Sequence, residues 1–350
     1  MAVPVVALVV FLTEATILGG ALPGWLIPIA VILLFATVFA AVRHADTVAH
    51  RIGEPFGSIL LAVAVTVIEV SLIVSILLGA PEGESTIARD TVFAAIMITL
   101  NGIVGLSLLS GGLRHHESGF QARAATSALA VLGTVAVLAL ILPNFTLAEP
   151  GPVYATPQLI FVAVVALGLY ASFLYVQTIS HRGDFLDEVT PMPVAGPPAR
   201  RTFIGALVFL PVALLAVVLL AESLAHPVEV AVARAGLPHA LVGVAIALVV
   251  LMPEGTAALR AARANRLQTS LNLALGSALA SICLTIPTVA ILSLVLGQKL
   301  ILGLDAEHIV LLVLSLFVGT LTLATGRTTL LHGCIHLVIF AAFVILAAVP

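Results

Sequence analysis

Long apolar segments recur along almost the whole chain and determine the class of structure it can form. A helix needs about 20 mostly apolar residues to cross the hydrocarbon core of a bilayer. Such segments cover residues 3–20, 25–42, 56–79, 91–112, 122–142, 158–180, 203–221, 239–259, 269–296, 307–325 and 328–349. Only 9% of the 350 residues are charged, too few to cover a water-facing surface. We therefore predict an all-α polytopic membrane protein with about eleven transmembrane helices.

Several other classes of protein lack support in the sequence. The sequence contains no run of basic residues that would bind nucleic acid, so we expect no nucleic-acid partner. The long apolar segments predict that membrane lipid surrounds the protein. Cys283 and Cys334 lie in apolar runs without metal-like spacing, which predicts buried free thiols and no cofactor. The first segment has no Lys or Arg before its apolar core, so we expect it to be retained as a helix. The sequence does not determine the oligomeric state.

The basic residues predict an orientation in the membrane. Three basic residues lie in connections that follow an odd-numbered apolar segment: Arg89, Arg234 and Lys299. These connections are predicted to share one side of the membrane. The other eleven fall on the opposite side: Arg43, Arg51, Arg114, Arg123, Arg182, Arg200, Arg201, Arg260, Arg263, Arg266 and Arg327. Because cytoplasmic loops carry the excess of Lys and Arg, we predict a cytoplasmic N-terminus and an external C-terminus.

The spacing of the segments predicts an inverted repeat. Residues 1–22 form an extra N-terminal helix, residues 23–180 a first five-helix repeat, and residues 203–350 a second repeat of opposite orientation. The connection 181–202 is the central cytoplasmic loop; it carries four prolines and is expected to be flexible or partly ordered. Two repeats of opposite topology are typical of secondary transporters.

Two glutamates stand inside these apolar segments. Glu69 lies roughly 20 Å deep, counted at about 1.5 Å per residue from the predicted cytoplasmic end. Glu254 stands between Pro253 and Gly255, which we expect to break the helix and expose backbone carbonyls to a cation. A carboxylate at this depth is costly unless it is paired, protonated or hydrated. Each glutamate belongs to the second helix of its repeat, so the pair could hold one divalent cation or two protons. The alternative is that each is a buried protonated acid bonded to a neighbouring helix.

Neutral oxygen ligands are predicted in the helices that follow. Asn101 and Ser277 lie near mid-membrane at matched places, and Thr66 and Ser281 complete the candidate set. Small and hydroxyl residues also allow close helix packing, which is an equally good explanation for most of the others in these two segments. The others are Gly102, Gly105, Ser107, Ser110, Asn272, Gly276 and Thr285.

Other polar residues point less clearly to transport. Glu14 lies outside the repeat, and Glu222 and Glu229 are expected in a solvated external loop. His332 and His336 have the i, i+4 spacing of helical metal ligands, but no glutamate of a metalloprotease motif accompanies them. The last segment is also distant in sequence from both glutamate segments.

Several stretches resemble a known family. They are residues 43–46, 49–58, 65–73, 251–255, 272–277 and 325–328, and together they resemble the ChaA-type calcium/proton antiporters of bacteria, within the calcium/cation exchanger superfamily. The resemblance covers nearly the whole chain after the first helix. It implies ten core helices in inverted repeats, paired ion-binding acids at Glu69 and Glu254, and exchange of calcium, sodium or potassium for protons across a bacterial inner membrane.

The chain also departs from the wider superfamily. Vacuolar exchangers carry Gly-Asn three to four residues before each glutamate, where this chain has Val65 and Thr66 in one repeat and Val250 and Leu251 in the other. A glutamine common in the second vacuolar repeat is replaced by Ala280. These departures leave the preferred ion open.

The sequence thus predicts a secondary active transporter, not an enzyme. It would exchange cytoplasmic cations for protons by alternating access, with Glu69 and Glu254 as shared cation and proton ligands. A cation channel and a sodium-coupled cation exchanger are the alternatives. An intramembrane enzyme would need a nucleophile with a base or a complete metal triad, and the sequence offers neither.

Overall fold

The computed structural model describes residues 2–17, 23–53, 56–79, 86–186, 198–234, 236, 238, 240–297 and 299–349. Its helices within these ranges are α1 (Ala2–Ile17), α2 (Ile27–Ile52), α3 (Phe56–Gly79), α4 (Ile87–His115), α5 (Ala122–Phe145), α6 (Thr156–Ser180), α7 (Arg200–Arg234), α8 (Ala240–Arg263), α9 (Leu267–Leu296), α10 (Ala306–Leu323) and α11 (Leu330–Ala348). Two short strands, β1 (Glu117–Gly119) and β2 (Arg327–Thr329), pair antiparallel.

Each predicted span overlaps one of these helices. Nine helices of the described part are long and apolar enough to cross a membrane. The other two predicted spans coincide with α1, of 16 residues, and α3, of 24 residues. Large apolar side chains such as Val164, Phe317 and Val338 are more than 60% exposed along the helices, a surface that lipid can solvate. The all-α polytopic architecture predicted from the sequence is confirmed.

The structure corrects two local expectations. Helix α7 continues to Arg234, well past the predicted end at residue 221, so Glu222 and Glu229 lie in a helix and not in a loop. Helix α8 also continues through Pro253, where we expected a break. Proline removes a single backbone donor, and a long apolar helix can tolerate that loss when its neighbours support it.

The central loop lies only partly in the described residues. A short 3-10 turn occupies Arg182–Phe185, and Asp184 lies 3.7 Å from Arg123. The turn is tied down by Asn272, whose amide nitrogen donates a 2.6 Å hydrogen bond to the carbonyl of Phe185. Asp187 and Glu188, the other two acids of the connection 181–202, lie outside the described residues.

The chain divides into two compact units. Unit 1 contains residues 1–82 and 193–253, and unit 2 contains residues 83–192 and 254–350. In unit 1, α2 packs against α3 and α7, and α1 packs against α7 and α2. Ala45, Ala64 and Leu210 form a small buried cluster where α2, α3 and α7 meet. Alanines at this point let the three helices approach closely.

Unit 2 is organised around α4. Residues 88–105 of this helix are all buried. It packs against α9, α10 and α11, while α9 also packs against α5 and α6. Most buried polar groups in proteins have a hydrogen-bond partner, whereas the hydroxyls of Thr91, Thr99 and Ser107 in this helix have none among the described residues. The polar residues of α4 are therefore the informative ones in this unit.

The two units divide both predicted repeats at the same place. The first two helices of each repeat, α2 and α3 or α7 and most of α8, belong to unit 1. The last three helices of each repeat belong to unit 2, together with the end of α8 from Glu254. Equivalent division of both halves is what an internal repeat would produce; the repeat boundaries themselves stay predictions.

Contacts within unit 2 join connecting segments that are predicted to lie on the same side of the membrane. At one end, Arg263 Nε donates to Ser110 Oγ at 3.1 Å, and β1 pairs with β2. At the other end, Lys299 lies 3.6 Å from Glu149, and residues 153 and 301 form an isolated β-bridge. The first group of segments is predicted to be cytoplasmic and the second external, so the grouping agrees with the predicted partition of basic residues.

Arg89 ties α4 to the start of α10 at the predicted external end. Its side chain is buried, with Nε 2.7 Å from Asp90 Oδ1 and Nη2 3.1 Å from Asp305 Oδ2. Its Nη1 donates to the carbonyl of Gly303 at 2.9 Å. A buried guanidinium needs this many partners to offset its desolvation. Arg89 is therefore a structural residue and not a solvated loop cation.

Candidate functional site

Glu69 and Thr66 lie on one buried face of α3 in unit 1. Glu69 is 2% exposed and Thr66 is 8% exposed. Residues three apart on a helix are neighbours on its surface, so the carboxylate and the hydroxyl project from the same face. Val63 and Val67, which flank this face, are exposed. The folding of α3 thus turns a carboxylate inward, away from the face that is exposed to the surroundings.

Glu254 occupies the equivalent position on α8. It is 9% exposed and lies on a buried face with Val250, Leu251, Ala258 and Ala262. Because Pro253 has no N–H, the carbonyl of Val249 lacks its usual intrahelical donor. The sequence predicted a broken helix with several carbonyls free to bind a cation. In the structure the helix is continuous, and proline removes the hydrogen bond of one carbonyl only.

The end of α8 packs closely on α4 within unit 2. A Cβ added at Gly255 would lie 3.1 Å from Ile103 Cδ1, so only glycine fits without a shift of that side chain. Gly255 therefore serves close packing next to Glu254, and the helix is not broken there. The contact places the acid-bearing end of α8 beside the middle of α4.

The middle of α4 is a π-helical turn. It spans Ile98–Ile103 and contains Asn101, which is fully buried. A π turn inserts one extra residue into the helix, weakens its regular hydrogen bonding and is frequent at functional sites. It turns the Asn101 side chain toward α10 and α11.

Asn101 is the centre of a hydrogen-bond network. Its Nδ2 donates to Ser315 Oγ at 2.8 Å, and its Oδ1 lies 3.0 Å from Nδ1 of His336. The second ring nitrogen of His336 lies 3.1 Å from Thr322 Oγ1. The sequence singled out Asn101 but not these partners, because they stand on α10 and α11, more than 200 residues away.

His332 and His336 do not share a site. Nδ1 of His332 accepts a 3.2 Å hydrogen bond from the backbone N–H of Thr329 and caps the start of α11. His336 is 1% exposed and bonds to Asn101 and Thr322. The i, i+4 metal pair that the spacing allowed is thus two histidines with separate structural partners. A single buried histidine in an otherwise apolar helix was the sequence signal that could have drawn attention to position 336.

Ser277 and Ser281 lie one turn apart on α9. Ser281 is 2% exposed. The hydroxyl oxygen of Ser277 is buried and has no hydrogen-bond partner among the described residues. A hydroxyl in that situation can serve a ligand at no cost to the fold. Asn272, considered with them, instead binds the turn at Phe185 and accepts a 2.8 Å hydrogen bond from Gln268.

Within the described part of the chain, one other group of residues has the chemistry of a metal site. Ligand atoms of Asp305, Glu307 and His308 lie within 4.8 Å of one another at the start of α10. Asp305 already binds Arg89 at 3.1 Å, and a helix N-terminus with a guanidinium beside it repels a cation. The ion pair with Arg89 accounts for Asp305 without a metal.

The candidate ligands are therefore divided between the units. Glu69 and Thr66 belong to unit 1, and Glu254, Asn101, Ser277 and Ser281 belong to unit 2. Five of the six side chains are less than 10% exposed. Such burial of carboxylates and hydroxyls in an apolar helical protein requires a function or a dense network of partners.

Comparison with known proteins decides the family. The model of the sodium/calcium exchanger protein family matches residues 22–179 and 205–349. The chain belongs to this family. The match begins where the predicted extra helix ends and omits the whole of the predicted central loop, residues 181–202. The family is one of transporters, so this exchanger homologue is a transporter and not an enzyme.

Individual relatives agree over nearly the full length. The chain is 52% identical over 322 residues to the putative ionic transporter y4hA of Sinorhizobium fredii, covering 91% of this chain and 87% of that protein. It is 35% identical over 320 residues to the sodium-potassium/proton antiporter ChaA of Escherichia coli, covering 90% and 86%. The ChaA-type resemblance read from the sequence is confirmed.

A solved structure confirms the fold. The Ca2+/H+ antiporter protein YfkE matches with a TM-score of 0.76 at 17% identity, over 100% of this chain and 98% of that one. At this identity the likeness concerns the fold alone. It supports the exchanger-type arrangement of helices that the spacing of apolar segments predicted.

Proposed function

We propose that this family member exports cytoplasmic cations in exchange for protons by alternating access, with Glu69 and Glu254 as the acids that take up either occupant. One observation carries the proposal: each predicted repeat buries one carboxylate at the equivalent helix, at 2% and 9% exposure. The sodium-potassium/proton exchange named for the Escherichia coli relative supports the choice of a proton as counter-ion.

The chemistry of a carboxylate makes exchange possible. A buried carboxylate is stable when it is neutralised, either by a proton or by a bound cation. The two forms exclude each other, so loading a cation releases protons and loading protons releases the cation. Conversion between inward and outward access then couples the two gradients.

Neutral oxygens complete the proposed coordination. Hard cations such as Ca2+ take several oxygen ligands, from carboxylates, amide carbonyls and hydroxyls. We assign this role to Thr66, Asn101, Ser277 and Ser281, the last three in unit 2 with Glu254. The hydroxyl of Ser277 supports this role, because it has no hydrogen-bond partner among the described residues, as is also true of Ser270 and Thr285 on α9.

The ion carried is open among calcium, sodium and potassium. Two relatives name different ions: sodium and potassium for ChaA of Escherichia coli, and calcium for YfkE. A sodium-coupled cation exchanger is the second candidate, favoured by the family match.

Flux measurement in proteoliposomes separates these mechanisms. Under an imposed pH gradient, we expect uptake of at least one of calcium, sodium or potassium, with protons moving in the opposite direction. A cation current without proton movement would indicate a channel. Calcium flux that requires sodium on the opposite side and is indifferent to the pH gradient would indicate sodium coupling. Either result would contradict the proposal.

The proposed orientation can be checked by cysteine labelling. Cys283→Ala and Cys334→Ser would first remove the native thiols. Leu147→Cys, at a position 98% exposed, should then react with an impermeant maleimide added outside the cell. Ala199→Cys should react only after the membrane is permeabilised, because the arginine-rich side is expected inside. The reverse pattern would place the N-terminus outside.

A further inference from the structure

His336 is bound through both ring nitrogens in the core of unit 2. Nδ1 lies 3.0 Å from Asn101 Oδ1, and Nε2 lies 3.1 Å from Thr322 Oγ1. The side chain is 1% exposed, so water cannot replace either partner without rearrangement. A buried histidine with two matched partners on two other helices is held in one position and one ring orientation.

The network also determines which way the Asn101 amide points. The hydroxyl of Ser315 donates to the carbonyl of Leu311 at 2.7 Å, so its oxygen accepts the 2.8 Å hydrogen bond from Asn101 Nδ2. The sulfur of Met97, 3.4 Å from Ser315 Oγ, is a much weaker acceptor than that carbonyl. The amide nitrogen of Asn101 thus faces Ser315, and its oxygen faces His336.

The ring tautomer follows from this orientation. Asn101 Oδ1 can only accept, so Nδ1 of His336 carries the hydrogen and donates to it. Nε2 then accepts from the hydroxyl of Thr322. Each residue therefore donates a hydrogen bond to the next one in the series Thr322, His336, Asn101, Ser315 and Leu311. Turning the amide over would require Ser315 to give up its carbonyl bond and His336 to change tautomer.

Two glycines allow α4 and α11 to cross closely enough for the His336 ring to reach Asn101. A Cβ at Gly105 would lie 3.1 Å from His336 Cβ, and one at Gly333 would lie 2.9 Å from the carbonyl oxygen of Gly105. The crossing of α4 and α11 is therefore close enough for a histidine on α11 to reach the π turn. The π turn and the glycine crossing are two independent features that bring Asn101 and His336 together.

We propose that His336 is a positioning residue for transport: its Nδ1–H holds the Asn101 amide so that Oδ1, and not the NH2 group, is available to the cation. This inference rests on the proposed function, in which Asn101 contributes its carbonyl oxygen. An amide oxygen has two lone pairs, so it can accept from His336 and bind a cation together. Without His336, the Asn101 amide would be held by the Ser315 hydrogen bond alone. A turned amide would present N–H donors, which repel a cation.

A matched pair of variants tests the proposal. In His336→Asn the new amide nitrogen occupies the place of Nδ1 and can still donate to Asn101. In His336→Gln the longer amide reaches the place of Nε2 and can satisfy Thr322, but it leaves Asn101 Oδ1 without its donor. We expect His336→Gln to raise the KM for the cation about tenfold, the effect of about one hydrogen bond, with little change in maximal rate. His336→Asn should stay within about threefold of wild type.

The outcomes separate this inference from the proposed function. Equal effects of the two variants on the cation KM would show that His336 only supports the fold. Exchange that survives Glu254→Gln in the same assay would overturn the proposed function itself. A dead Glu254→Gln variant with equal KM values for the two His336 variants would overturn only the positioning role.

A spectroscopic measurement serves if His336→Gln does not fold. In wild-type protein with 15N-labelled histidine, the ring of His336, assigned by its loss in His336→Asn, should show the tautomer protonated at Nδ1. The tautomer protonated at Nε2 would reverse the donor at Asn101 and refute the proposal.

Discussion

Glu69→Gln should reduce proton-coupled cation exchange by about 100-fold or more. Glutamine keeps the shape of the side chain but neither carries charge nor takes up a proton, so it serves neither occupant of the proposed site. In a weakly polar interior the attraction between a carboxylate and a cation amounts to several kcal/mol, and about 2.7 kcal/mol already corresponds to 100-fold. Glu254→Gln should have an effect of the same order, because the second repeat contributes its own acid.

The assay is cation flux in proteoliposomes that hold equal amounts of folded protein. Glu222→Gln is the matched control, since this acid also lies in a long apolar helix but its side chain is exposed. It should exchange at close to the wild-type rate. If Glu69→Gln also transports at that rate, with proton movement still coupled, then the buried carboxylate is a structural acid and the proposed mechanism is wrong.

Gly333→Ala should strongly destabilise unit 2. A Cβ at this position would lie 2.7 Å from the backbone Cα of Leu109 and 2.9 Å from the carbonyl oxygen of Gly105. Backbone cannot move aside as a side-chain end can, so α11 would have to separate from α4. Overpacking of a well-packed core costs about 1–3 kcal/mol even where side chains can adjust. We expect a large fall in the thermal unfolding midpoint in detergent and a reduced yield of folded protein.

Gly168→Ala supplies the control for that measurement. Gly168 also lies within a transmembrane helix, but a Cβ there would meet nothing within 4 Å. Alanine favours the helix by about 1 kcal/mol over glycine, so the unfolding midpoint should stay the same or rise. A Gly333→Ala variant as stable as Gly168→Ala would show that the α4–α11 crossing is looser than the structure indicates. Separation of α11 from α4 would also remove His336 from Asn101, so the variant should lose cation affinity along with stability.

The sequence alone determined the positions of the helices and the two acids that stand out in them. Lipid admits few alternatives to a long apolar helix, so the length and composition of each segment were sufficient. Glu69 and Glu254 stood out because ionisable residues are rare and costly in such segments. Local signals were weaker at helix ends: the seventh apolar segment was predicted to end at residue 221 and Pro253 suggested a break, whereas α7 continues to Arg234 and α8 continues through Pro253.

Only the tertiary structure decided which buried polar groups serve one another. Asn101 and Ser277 looked equivalent in the sequence, yet Asn101 is bound to Ser315 and His336 while the hydroxyl of Ser277 has no partner among the described residues. The segments concerned are separated by more than 200 residues, and neither hydrophobic periodicity nor composition records which helix faces which. The π turn at Asn101 and the glycine crossing with α11 are likewise products of packing. Sequence patterns predict which segments form helices surrounded by lipid. The pairing of polar side chains inside the protein depends on which helix faces pack together.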